Sequence, residues 1–125
     1  MQNSVVFFEL PADDLERAKK FYEEVFNWKI THNPALDIYM LGTAPSDKRG
    51  RSSEPGTING LMAMRRNADS TTIVTIEVSD IDSAIGRVEE HGGRIVQKKQ
   101  QIPQVGSAAY FKDTEGNIVQ LFQRA

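Results

Sequence analysis

The sequence predicts an α+β fold of two β-α-β-β-β modules forming a curved mixed sheet. Three observations predict it. One strand–helix unit occurs twice at a constant offset, each helix carries a single apolar stripe, and the strands alternate in polarity. The chain has 125 residues, the size of one domain with one sizeable core, with modules read at about 1–66 and 70–125.

The repeat pairs ELPADDLERAKKFYEE, from Glu9 to Glu24, with EVSDIDSAIGRVEE, from Glu77 to Glu90. Asp14 matches Asp80, Leu15 matches Ile81, Ala18 matches Ala84 and Glu23-Glu24 match Glu89-Glu90, all 66 residues apart. A first loop two residues longer than the second would make Glu9 and Glu77 equivalent as well. Leu15, Ala18, Tyr22, Val25 and Phe26 form the stripe of the first helix, and Asp13 followed by Glu16 reads as a capping box. Ile81, Ala84, Ile85 and Val88 form the second stripe. Asp80 is its N-cap, and a glycine of His91-Gly92-Gly93 takes the left-handed C′ position.

Strands are expected at Val5–Leu10, Lys29–His32, Asp37–Leu41 and Ile58–Arg65, then at Thr72–Val78, Arg94–Lys98, Ala108–Lys112 and Ile118–Gln123. Asp113 to Asn117 reads as a hairpin turn with Gly116 at positive φ. The polar stretch from Thr43 to Thr57 is too long for a tight turn. It is either mobile or closes over a pocket. Alternation puts Val6, Phe8 and Leu10, and likewise Val74, Ile76 and Val78, under the helices. Phe7, Glu9, Ile73, Thr75, Glu77, Ile118, Gln120 and Phe122 then lie on the opposite side.

Composition excludes several functions. The net charge of -2 argues against nucleic acid or an anionic membrane as partner. No apolar run reaches the roughly 18 residues of a spanning helix, and the N-terminus lacks the features of a secretory signal. Cys is absent, which excludes disulfides, thiolate zinc and a cysteine nucleophile. A cytoplasmic protein is expected. No phosphate-binding loop or dinucleotide fingerprint is present, and two poorly placed histidines support no Ser-His-acid arrangement.

The segments FELPADDLERAKKFYEEVFNW, VSDIDSAIGRVEEHGGRIV and AYFKDTEGNIVQLFQ resemble the vicinal oxygen chelate superfamily, the glyoxalase/bleomycin-resistance/dioxygenase fold. The nearest flavour is the small single-domain members related to lactoylglutathione lyase. The resemblance covers nearly the whole chain apart from 43–57, and it is more specific for fold than for reaction. It implies a divalent metal held by His, Gln or Glu on the concave face. Carried over, the ligand positions fall on Phe7 and Ile73, which have no donor atom, and on Gln120. The fourth cannot be placed firmly, with Asn59 the one neutral oxygen donor near it. Gln120 is therefore either a vacated metal position that hydrogen-bonds a ligand or neighbour, or a satisfied core amide.

Two functions compete. One is a protein without the usual metal that binds a small organic molecule in a concave cleft lined by Phe7, Glu9, Thr75, Glu77, Tyr110 and Gln120. No cofactor is then expected. The other is a lyase- or dioxygenase-type enzyme with an altered metal or carboxylate site, for which Glu9 and Glu77 are the candidate catalytic residues. Their alternative reading is as solvated groups near strand ends. The resemblance also implies a homodimer. Of the rest, His91 is expected to cap its helix, His32 to lie on the surface, and Tyr22, Phe26 and Trp28 to pack in the core. Tyr39 and Tyr110 either reach the pocket or pack. Lys48-Arg49 and Lys98-Lys99 are expected in or beside loops as solvated charges.

Overall fold

The computed structural model describes residues 3–48, 52–68 and 70–125. In chain order the elements are β1 (Val5–Ala12), α1 (Leu15–Phe26), β2 (Lys29–Asn33), β3 (Ile38–Gly42), β4 (Asn59–Met64), β5 (Ile73–Glu77), α2 (Ile81–Glu90), β6 (Arg94–Ile102), β7 (Gly106–Lys112) and β8 (Ile118–Arg124). They divide into two compact units, Phe7–Thr72 and Ile73–Ala125 together with residues 3–6. These are called modules one and two below.

The modules repeat one strand pattern. In module one the order is β2-β3-β4-β1, antiparallel except for the parallel pair β4 and β1. In module two it is β6-β7-β8-β5, again antiparallel except for the parallel pair β8 and β5. A parallel pair requires a crossover, and in each module the helix and the following hairpin supply it.

Each helix begins on an aspartate with extended backbone. Asp14 accepts a hydrogen bond from the Arg17 amide at 3.0 Å, and Asp80 accepts one from the Ser83 amide at 3.1 Å. The cap of α1 is therefore Asp14 and not Asp13, whose carboxylate instead pairs with Arg65 Nε at 2.9 Å. Gly92, at φ 96°, ends α2 in the left-handed conformation.

Module one buries Ala12, Leu15, Ile30, Tyr39, Leu41 and Met62, with Phe8, Leu10, Ala18, Tyr22 and Trp28 packed against them. Module two buries Val78, Ile81, Ala109 and Leu121 against Ile76, Ala84, Ile85, Val88 and Phe111. The expected helix-facing sides of β1 and β5 are thus confirmed at Phe8, Leu10, Ile76 and Val78, whereas Val74, expected with them at the start of β5, is 38% exposed. The stripe of α1 ends sooner than its periodicity suggests, with Val25 and Phe26 more than half exposed. The chain turns at Asn27, φ 59°, and Trp28 takes the inner position, stacked on Tyr22 at 4.7 Å and 5°.

Three other segments differ from or refine the sequence reading. β6 runs on to Ile102, so Lys98 and Lys99 lie within a strand, and Lys99 pairs with Asp82 of α2 at 2.9 Å. The stretch after Thr43 folds back on itself through a Ser46–Ser52 bridge and a bond from the Ser53 amide to the Pro45 carbonyl at 3.0 Å. Lys48 is exposed, and Arg49 lies outside the described residues. The closing hairpin forms as expected, with Gly116 at φ 84° and Asp113 Oδ1 accepting from the amides of Glu115 and Asn117, both at 2.8 Å. Those bonds to the ionised form hold the Asp113 carboxyl below the usual carboxylate range, the Asn117 contacts most strongly. Among the described residues, no helix is long and apolar enough to cross a membrane.

Candidate functional site

In module two, α2 covers the side of the sheet that carries Ile76, Val78, Ala109, Phe111 and Leu121. Strand alternation sends Thr75, Glu77, Ala108, Tyr110, Gln120, Phe122 and Arg124 to the other side. Register then sorts these residues into rows. Thr75 lies beside Gln120, and Gln120 beside Tyr110, across β5, β8 and β7. The next row is Glu77, Phe122 and Ala108.

The first row is a connected polar network. Thr75 Oγ1 donates to Gln120 Oε1 at 2.6 Å, and Gln120 Nε2 donates to Tyr110 Oη at 3.3 Å. Thr75 is 3% exposed and Tyr110 8%, whereas Gln120 is only half-buried. Two buried hydroxyls thus grip the central amide of a half-buried residue. Burying such hydroxyls without partners would cost about 1–3 kcal/mol each, so Gln120 satisfies them as well as being oriented by them.

One row along, Glu77 is 1% exposed and its Oε1 accepts from Arg124 Nη2 at 3.1 Å. The backbone amide of Glu77 donates to the Ser4 carbonyl at 3.0 Å. Arg124 was absent from the sequence reading, although the signal was present. It follows Gln120 and Phe122 at every second residue and so shares their face. The alternative reading of Glu77 as a solvated group near a strand end fails on its burial and this pairing. Its equivalence to Glu9 also fails. Ala12 and Val78 are both buried, and each stands two residues before its cap, so the 66-residue offset continues into the strands and pairs Glu9 with Thr75.

The other sequence candidates are described within their own modules. Phe7 and Glu9 are half-buried residues of β1 in module one, on the side opposite Phe8 and Leu10, with Glu9 in register with Leu61. Asn59 is 2% exposed, and its Oδ1 accepts from the amides of Thr43 and Ala44 at 2.9 and 3.1 Å and from Thr43 Oγ1 at 3.3 Å. Its Nδ2 donates to Ser46 Oγ at 2.6 Å. Asn59 therefore anchors the start of the 43–57 loop instead of offering its oxygen outward.

Tyr39 faces the helix, and its hydroxyl donates to Glu16 of α1. That bond, with burial second, raises the phenol above its ordinary pKa. His32 pairs on the surface with Asp37 at 3.1 Å, and His91 forms the C-cap of α2. Among the described residues, no three of His, Asp and Glu converge in a way that would hold a metal ion.

Each module also carries a groove beside its helix. The groove in module one has a volume of about 520 Å³ and includes Leu10, Ala12, Asp14, Ala18 and Tyr22. That in module two has about 470 Å³ and includes Ile76, Val78, Asp80, Ala84 and Val88. These residues match pairwise at the 66-residue offset, so the groove is a packing property of the repeated unit.

Comparison with known proteins agrees with this architecture. A glyoxylase-like domain-containing protein of Didymella fabae is 34% identical over 114 residues, covering 87% of this chain and 84% of that one. Methylmalonyl-CoA epimerase of Streptomyces coelicolor, solved with 2-nitronate-propionyl-CoA, superposes with a TM-score of 0.69 at 15% identity, covering 98% of this chain and 95% of that one. A superfamily member from Vibrio splendidus gives 0.62 at 16% identity, covering 98% of both chains. At these identities the structures establish the fold alone, the α+β glyoxalase/bleomycin-resistance fold. The family model of the Glyoxalase/Bleomycin resistance protein/Dioxygenase superfamily matches residues 4–121, and with nearly the whole chain matched, the protein belongs to that superfamily.

Proposed function

We propose that this protein binds a small organic molecule on the helix-free face of module two, without the metal that the superfamily's metalloenzymes hold. One observation carries the reading. At the position where such enzymes have a carboxylate ligand, Gln120, itself only half-buried, instead sits between two buried hydroxyls. A neutral amide is a weak ligand for a divalent ion but a good hydrogen-bonding partner for an organic molecule. The other positions agree, since Phe7 and Ile73 have no donor atom and the oxygen of Asn59 is engaged by Thr43 and Ala44. Glu77 is a poor candidate for proton transfer, because a guanidinium already occupies its carboxylate in a buried setting. The same reading makes the protein a cytoplasmic homodimer. The absence of cysteine fits a reducing compartment, and Ile118, apolar, exposed and on the same side as Gln120, suits contact with a second copy.

A fragment library screened by protein-observed NMR tests the binding site. The expected result is shifts clustered on Thr75, Tyr110, Gln120 and Phe122, weakened about fivefold or more by T75V and Q120L. Shifts confined to the α2 groove, at Arg87, Val88 and Phe111, would refute it. So would stoichiometric zinc, nickel, manganese or iron in the purified protein that is lost in the Q120L variant.

A further inference from the structure

The hydrogen bonds of Gln120 narrow the chemistry of what it recognises. A side-chain amide has two N–H groups and two oxygen lone pairs. Tyr110 takes one N–H from the β7 side, and Thr75 takes one lone pair from the β5 side. Among the described residues, the second N–H and the second lone pair have no partner. Bonds toward β7 on one side and β5 on the other leave these remaining groups for the outer edge of the amide, away from the strands. That edge presents one donor and one acceptor side by side.

The geometry points to a ligand with a neutral, adjacent donor–acceptor pair, a lactam or primary amide, joined to a flat apolar body. This inference rests on the binding site proposed above. An amide edge pairs with another amide through two parallel hydrogen bonds, N–H to O and O to H–N. A carboxylate has no proton to return, so one of its oxygens would face the Gln120 lone pair. An N-alkylated amide or an ester loses the same bond. A site built to use a ligand N–H rejects the analogue that lacks it, because its own acceptor is then buried without a partner. The next row supports the body of the molecule. Phe122 offers an aromatic surface, and Ala108, in register with it, contributes only a methyl group. The Glu77 charge in that row is already matched by Arg124, which leaves no bare carboxylate against an apolar ring.

The test uses the full chain and three probes of similar shape: 2-quinolone, N-methyl-2-quinolone and quinoline-2-carboxylate. Affinities are measured by NMR titration, following Thr75, Tyr110 and the Gln120 side-chain amide. The expected result is that 2-quinolone binds about tenfold more tightly than its N-methyl form and more tightly than the carboxylate. The ratio should fall to about one in Q120L, or in Q120M if the leucine variant does not fold. Equal affinity of 2-quinolone and its N-methyl form, with shifts still at these residues, would overturn the amide pairing and leave the site intact. Tighter binding of the carboxylate would overturn it equally. No shift at these residues from any of the three would overturn both the pairing and the site.

Discussion

Replacing Asn59 by Ala separates a structural amide from a metal donor. Asn59 is 2% exposed, and its side chain makes four bonds to the first residues of the 43–57 loop. Its removal leaves the amides of Thr43 and Ala44 without their acceptor. An unsatisfied buried donor costs about 1–3 kcal/mol. Both residues are only half-buried, so water replaces part of the loss, and the lower half of that range applies to each. The two amides together come to about 2–4 kcal/mol, a lower bound because the Ser46 bond is lost as well. At a urea dependence of about 2 kcal/mol per molar, the unfolding midpoint should fall by about 1–2 M. N59D keeps the acceptor oxygens for Thr43 and Ala44 and loses the donor to Ser46, so even with a carboxylate at this buried position it should cost less than N59A. Urea melts followed by circular dichroism read both values. If N59A lies within about 0.5 kcal/mol of wild type, the anchoring argument is wrong.

Three further outcomes follow from the same contacts. R124M leaves the buried Glu77 carboxylate without its guanidinium and should cost about 1–3 kcal/mol, discounted because Arg124 is a quarter exposed; E77Q/R124M should recover most of that in a double-mutant cycle. D113N should be less stable than wild type at neutral pH, with the difference closing in acid. The folded-state pKa of Asp113 is lowered, so its contribution is present above the unfolded value of about 3.9 and lost as pH falls through the folded one, which thermal melts from pH 7 to pH 2 would reveal. Light scattering over a dilution series should give twice the chain mass of 14.0 kDa, and a monomer at every concentration would rule out the homodimer.

The fold was legible because its signals are local and doubled. Asp14 and Asp80 cap their helices at the offset read from the sequence, and all eight expected strands form. The errors have physical causes. β6 extends to Ile102 because backbone pairing with β7 continues through the polar run from Gln97 to Gln101, where side-chain pattern says little. Val25 and Phe26 sit in the right period but beyond the point where Trp28 closes the core. The site was legible one strand at a time. Alternation placed Thr75, Gln120 and Glu77 on one side of module two and left Tyr110 either to reach the pocket or to pack. It could not show that Gln120 bridges two hydroxyls, because that depends on the register of β5, β8 and β7. Arg124 went unread for the same reason: its partner Glu77 is 47 residues away. The equivalence of Glu9 and Glu77 rested on a loop-length assumption that the burial of Ala12 and Val78 removes.

The most direct test of the account is a crystal structure of the protein soaked with fragments that bind in solution. The account predicts an organic molecule against the outer edge of Gln120, within hydrogen-bonding distance of both Oε1 and Nε2, with its apolar body toward Phe122 and no metal ion between them. A metal ion coordinated by Gln120, or ligand density only in the grooves beside α1 and α2, would contradict it.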